Sequence, residues 1–427
     1  MSQAAPSSAG RESGQVLVFM VLGLLIVMAG IALAIDGGNA FARQREAQNS
    51  SDAAANAGAI VIAERMAGAT APADGWDSAI ELAVLTAAAS NGVSVAGAYY
   101  TDLCGIPLRP DGTSALNSDG TQNLAVAAEV GVDGFPTDAG GSPDCPSLQV
   151  GPPVGVMVVA RQVVDLIVAP VLGINTMTVT TQSTAVAGFL QSMCSAEEDD
   201  ACALLPITVP VNVISCSGPG GGQVEPTDIA WTMGQVYVVP LCRTGDGNVG
   251  WIDWDGGGGG SDGVVGSITT PDNPDIDLPS WEQIAFSGNT SNNNIEDALR
   301  SYDGKVVLLL QFDLICEQDP DHSQVSTPSA YGCPGGSGGG SSGTNLWYRI
   351  PSFAYFRFCG PGVAGCDSVP NGPATHGAYI NGQDDICGGS ASCLVGKFVR
   401  IISGTGTVGS GVGGGVGDRA IGVQLIR

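Results

Sequence analysis

An α+β protein is the fold class this sequence predicts. A long N-terminal transmembrane helix continues into a mixed helical and β segment, and a Gly- and Cys-rich, mainly β domain follows. Three observations carry that expectation. Val16 to Ile35 is a run of twenty residues without a charge. Beyond it the chain stays alanine-rich and free of proline to Gly68. All twelve cysteines fall at or after Cys104, in a chain of 427 residues that holds 64 glycines.

The apolar run comes first. At 1.5 Å per residue it spans about 30 Å, the hydrocarbon thickness of a bilayer. A charge at its centre would cost about 3 kcal/mol to insert, and none is there. Ala32-Leu33-Ala34 has the small residues of a signal-peptide cleavage site. The core is long for a signal peptide, however, and cleavage there would cut a helix in its middle. An uncleaved, single-pass anchor in the cell membrane is expected. Arg11 on one flank, against Arg43 and Arg45 on the other, mildly favours a cytoplasmic bulk by the positive-inside rule. The cysteines argue the reverse and outweigh it.

The helix should run on through "FARQREAQNSSDAAANAGAIVIAERMAG", because alanine is the strongest helix former. Small residues recur every fourth position at Gly30, Ala34, Gly38 and Ala42. That spacing lets a second backbone approach closely and makes these four the candidate helix-packing residues. The competing reading is compositional, since alanine and glycine are common throughout this chain. Asp36 marks the membrane edge as a hydrated interfacial carboxylate, with pairing to a partner's cation as the alternative.

The twelve cysteines are Cys104, Cys145, Cys194, Cys202, Cys216, Cys242, Cys316, Cys333, Cys359, Cys366, Cys387 and Cys393. Zinc is the rival to disulfides, but no C-x-x-C occurs and the histidines are only His322 and His376. Disulfides are therefore expected, and with them an oxidising compartment for most of the chain. Connectivity stays open; proximity suggests Cys194–Cys202, Cys359–Cys366 and Cys387–Cys393. With 15 basic against 41 acidic residues, net charge −26, the chain is a poor partner for nucleic acid.

One stretch is more specific. "ESGQVLVFMVLGLLIVMAGIALAIDGGNAFARQREAQNSSDAAANAGA" resembles the N-terminal segment of the TadE/TadG-like proteins of Flp (tight-adherence) pilus assembly. The resemblance rests on Gly14-Gln15 before the apolar run and Asp36 closing it, followed by Gly38 and Phe41. Arg43, Arg45, Gln48 and Asn49 come next, then Asp52 to Ala55 and the Ala-Gly-Ala of Ala57 to Ala59. "VGVMVVARQVVDLIVAPVLGINTMTVTTQSTAVAG" resembles the strand, short helix and strand that follow in TadG-like proteins. "GNVGWIDWDGGGGG" and "PDNPDIDLPSW" resemble a C-terminal region sometimes attached to such segments. The family resemblance implies a pilin-like architecture, with a helix that is lipid-soluble in its first half and a packing spine in its second. True pilins carry a glutamate near the start of the mature helix, where Val18 and Phe19 stand here. Prepilin processing and a major-subunit role are therefore not expected.

Residues 1–13 read as a cytoplasmic tail and 14–68 as the transmembrane and continuing helix. Residues 69–195 read as an α/β extracytoplasmic segment, and 196–427 as a disulfide-rich β domain. Within the third stretch, 72–91 should form a second helix, capped by Asp74 or Asp77 and ended by Asn91-Gly92. Residues 104–152 are loop-rich, and strand patterns follow at 154–161 and 176–187. After the acidic run Glu197 to Asp200, the patterns "ITVPVNV", "QVYVVPLC", "VVLLLQFD", "WYRIPSFAYFRF" and "KFVRIIS" suggest an antiparallel sandwich or barrel-like domain.

Catalytic chemistry is not expected, and neither is a cofactor. Gly335 to Gly339 satisfies G-x-S-x-G around Ser337, but within a low-complexity run that lacks the strand and helix of a nucleophile elbow. His322 in "DPDHS" reads as a solvated loop residue. Asp246, Asp253 and Asp255, with Asn248, are weak candidates for calcium, because the EF-hand spacing and its closing glutamate are missing. The expected function is a membrane-anchored structural component of Flp/Tad pilus assembly. Its partners would be the lipid bilayer and other pilus-assembly proteins or pseudopilins. The alternative is a cell-surface binding module, displayed by a generic anchor and using its tryptophans.

Overall fold

In the computed structural model, Ser13–Met66 forms one unbroken helix of 54 residues, α1. Residues described are 13–136, 155–194, 196, 202–217, 223–244, 247–252, 254, 261–286, 293–317, 346–360, 362–366, 379–381, 387, 392–403, 407–409 and 419–426. From Leu17 to Ile35 nearly every side chain of α1 is exposed. From Ala47 onward one stripe is buried: Ala47, Ser51, Ala54, Ala55, Ala59, Ile62 and Ala63 have no exposed surface. They recur at intervals of three and four, the signature of a helix with one face on a core.

A second helix, α2, spans Gly75–Ser90 and lies on α1. Asp74 is its N-cap residue but makes no side-chain capping bond. Asp77 works elsewhere. Its carboxylate accepts the Gly131 amide at 2.9 Å and the Tyr100 phenol. At the other end Asn91 closes the helix, and Gly92 takes the left-handed conformation that lets the chain turn back.

A sheet lies on the same core as the two helices. Its first strands are β1 (Ser94–Thr101), β2 (Gly155–Asp165) and β3 (Thr176–Met193), in that order and antiparallel. A short 3-10 turn, Ala169–Leu172, connects β2 to β3, as the strand, short helix and strand of the family resemblance imply. The sheet then takes in strands from far along the chain. Ile421–Ile426 pairs with β3 from Thr184 to Phe189, Ile402–Ser403 pairs with Ile421–Ile426, and 276–277 and 407–409 pair with the end of β3. Strands from both sides of position 195 thus share one sheet.

Alternation along β3 explains how it meets α1. Val179, Thr181, Ser183, Ala185 and Ala187 are buried at every second position, on one face of the strand. Thr181 Oγ1 donates to the Ala47 carbonyl at 3.2 Å, and Ser183 Oγ lies 2.8 Å from Ser51 Oγ. The buried face of α1 thus meets both α2 and the sheet, and at Gly58 the two come very close. A Cβ there would sit 2.8 Å from Val84 Cγ2 of α2 and 3.1 Å from Val156 Cγ2 of β2. Only glycine lets both neighbours close in.

The remaining strands form a mainly antiparallel β region that includes four of the five patterns expected after residue 200. The fifth, 397–403, is divided, its first two residues ending strand 392–398 here and Ile402–Ser403 joining the first sheet. One sheet orders 379–381, 392–398, 352–358, 306–312 and 208–210, with 236–240 also on 392–398; a second orders 314–317, 346–350, 280–286, 247–252 and 243–244. Their shared core joins Leu310 and Phe312 to Tyr348 and Ile350, and it includes Leu190 and Met193 from the end of β3. A buried ion pair, Arg349 Nε to Asp313 Oδ1 at 2.8 Å with a second contact through Nη2, links adjoining strands. Four disulfides are seen: Cys194–Cys202, Cys216–Cys242, Cys359–Cys366 and Cys387–Cys393. Cys104 is disulfide-bonded as well, and no cysteine is free among the described residues. The three proximity pairings are all present.

Candidate functional site

The candidate residues of the sequence that the fold brings to one element are those on α1. The stripe Gly30, Ala34, Gly38 and Ala42 is open: Ala34 and Ala42 are exposed, and a Cβ placed on Gly30 or Gly38 would find, outside its own stretch of helix, no atom of the described residues within 4 Å. The fold thus keeps small residues on a surface where bulk would not clash internally.

Asp36 differs from the hydrated carboxylate expected of it. It is only 8 % exposed. Its two carboxylate oxygens accept the backbone N–H groups of Ile167, Val168 and Ala169 at 2.7–3.2 Å. These amides open the 3-10 turn between β2 and β3, and their natural acceptors would lie in a preceding turn that does not exist. Asp36 supplies the acceptors from another element. Burial raises its pKa; the three donors outweigh that and hold the carboxyl below its usual range. Nothing near Asp36 in sequence foretells this, because its donors lie more than 130 residues on.

One helical turn higher, Asn39 Nδ2 donates to the Asp165 carbonyl at 3.3 Å. Higher still, Gln48 reaches the same strand pair. Its Nε2 donates to Ser183 Oγ at 2.8 Å, to Asp52 Oδ1 at 3.0 Å and to the Gln182 carbonyl at 3.3 Å, while Ser183 donates to Asp52. An open cleft of about 510 Å³ lies here, lined by Arg45, Gln48, Asn49, Asp52, Gln182, Ser183 and Ile426. The polar residues of the sequence pattern, Gln48 and Asp52, are thus ties between α1 and β3. The chemistry of Gln48, Asp52 and Ser183 is hydrogen bonding, and it fixes how the helix leaves the sheet.

The other candidates scatter. Asp246, Asp253 and Asp255 lie outside the described residues, as do Ser337, His322, His376, Cys145 and Cys333. No group of metal-ligating side chains stands together among the described residues. Trp251 is fully buried and Trp231 nearly so, with the Trp231 indole donating to the Pro210 carbonyl at 2.7 Å. These two serve the core of the β region and are not displayed.

Comparison with known families places this helix. Residues 14–62 match the family of TadE/G-like Flp pilus-assembly proteins. No curated protein and no solved structure matches the chain. The matched segment coincides with the one helix, among the described residues, that is long and apolar enough to cross a membrane. It indicates involvement in Flp pilus assembly through a membrane-anchor-like helix.

Proposed function

We propose that this chain is a single-pass structural component of Flp pilus assembly, with its N-terminus cytoplasmic and a domain outside that packs on partner subunits. One observation carries the reading. The family-matched segment is a single helix whose first half is bare and whose second half is built into the domain. Such a helix transmits position: where the lipid-facing half sits decides where the domain sits. The disulfides support an oxidising side for the bulk of the chain. The bare stripe at Gly30, Ala34, Gly38 and Ala42 supports close approach of another helix within the membrane. The role is mechanical and needs no catalytic group.

The test is crosslinking in native envelopes, followed by purification from detergent. Pilus-assembly proteins or pseudopilins should co-purify with the wild-type chain. Gly30→Leu combined with Gly38→Leu should weaken those crosslinks while the domain keeps its thermal unfolding. Unchanged crosslinks would remove the stripe from the interface, and the absence of any pilus component would remove the function.

A further inference from the structure

The turn between β2 and β3 is unusual for its composition. Leu166 to Asn175 reads "LIVAPVLGIN", ten residues without a charge. Hairpin ends are ordinarily polar, because they face water. Here Ile167 is 67 % and Ile174 55 % exposed, Pro170 is exposed, and Met177 is exposed at the start of β3. The turn itself is well made. Leu166 N donates to the Asn175 carbonyl at 3.0 Å, Gly173 N to the Pro170 carbonyl at 3.0 Å, and Gly173 adopts a left-handed φ of 82°. Apolar side chains are thus held outward on a rigid scaffold.

Two ties set its height along α1. Thr181 is tied to Ala47, and the turn's amides are tied to Asp36. From Ala47 down to Asp36 the helix descends about 17 Å. From Thr181 down to Thr176 the strand also descends about 17 Å. Helix and hairpin run side by side, and the apolar tip ends level with Asp36, the first residue after the uncharged run Val16–Ile35. If that run fills the hydrocarbon, the tip lies at its boundary.

We propose that residues 166–175 form a second membrane contact, an interfacial wedge whose Ile167 and Ile174 enter the acyl–headgroup boundary beside the anchor. The occupant is lipid because the patch carries no charge and is tied to α1 at Asp36, where its uncharged, exposed run ends. Asp36 is the fastener: it binds the backbone of the turn and leaves the side chains free to face outward. A hairpin planted beside a helix fixes the domain's tilt and rotation, which a lone helix does not. The wedge rests on the reading of α1 as a membrane anchor.

The experiment uses the full chain in phosphatidylcholine–phosphatidylglycerol nanodiscs. Lipids carry a photoactivatable diazirine either near the glycerol backbone or at the chain end, and adducts are mapped by mass spectrometry. The shallow probe should label 166–175 and the deep probe should not, whereas 17–35 should take both. Exposed Leu82 on α2 and Val132 should take neither. Ile167→Asn with Ile174→Asn should cut the adducts on 166–175 severalfold without changing thermal unfolding, since both side chains point away from the core. Label on 17–35 but none on 166–175 overturns the wedge and leaves the anchor standing. Protein crosslinks at 166–175 in place of lipid adducts also overturn it, in favour of a second copy or another subunit. Absence of label on 17–35 overturns the anchor and the wedge together.

Discussion

Two halves of one helix make the most instructive comparison in this molecule. The first half of α1 is apolar all round, whereas the second carries charged and amide side chains outside and is apolar only along its buried stripe, so the comparison is between those two apolar surfaces. Size separates them. Between Leu17 and Met28 the apolar residues are large: Leu, Val, Phe, Met and Ile, nearly all exposed. Between Ala47 and Ala63 the buried residues are Ala and Ser, with Gly58 and one Ile. Bulky side chains all round suit a fluid solvent of hydrocarbon, where no neighbour has a fixed shape. Small side chains on one face suit rigid, closely packed neighbours, where every methyl has to be placed. The junction is Asp36, whose carboxylate belongs to the folded domain.

The largest effect that would test this contrast comes from cavity formation. Ile62 is the one large side chain in the buried stripe. Ile62→Ala should cost the domain about 2–5 kcal/mol. Leu25→Ala, a comparable deletion at an exposed site, should leave domain unfolding where it was. Chemical denaturation of the full chain in micelles reads both. Equal losses would mean that the first half is also packed into the domain.

Charge turns the comparison round. Leu25→Asp should cost about 3 kcal/mol of membrane insertion and shift the chain out of carbonate-washed membranes. Ile60 is apolar and exposed on the same helix but in its second half. Ile60→Asp should change neither integration nor stability by more than about 0.5 kcal/mol. Loss of integration by both would place the membrane boundary much further along the helix.

Crowding gives the third contrast. A side chain at Gly58 would run into Val84 and Val156, so Gly58→Val should destabilise by about 1–3 kcal/mol. At Gly30 an added Cβ meets no described residue within 4 Å outside its own helix, so Gly30→Val should leave unfolding unchanged. Any effect of Gly30→Val would then appear only in partner crosslinks, which separates fold from assembly.

Much of this architecture is legible in the sequence, for identifiable reasons. The length of α1 follows from the absence of proline and from alanine content; β2 and β3 follow from alternation; the three short disulfides follow from separations of six to eight residues. What is hidden is long-range. Strand 421–426 returns to β3 across more than 200 residues, and a six-residue run has no local mark of its partner. Asp77 stands in the first turn of α2, where it is a candidate cap by sequence, yet its carboxylate is taken by Tyr100 and Gly131, which a reading of local capping could not anticipate. β1 is hidden for a local reason: glycine and alanine dilute its pattern. One signal for the candidate site is present in the sequence all the same: a ten-residue connection with no charge is out of place in water.

Asp36 gives the smallest and most local effect, and it tests where the two halves join. Its folded-state pKa is lowered from 3.8, so whatever it adds to the turn is complete above that value and is lost as pH falls through the lower, folded one. The amide signals of Ile167, Val168 and Ala169 should therefore hold steady from neutral pH through 3.8 and then move together at lower pH. In Asp36→Asn the side chain keeps one acceptor and turns an NH₂ toward backbone donors, so the same amides should exchange faster at neutral pH and lose that titration. Ala47 and Ser51, about three and about four turns further along α1, should show neither change. If the titration spread to them, the junction would be part of the domain core rather than the clasp that ends it.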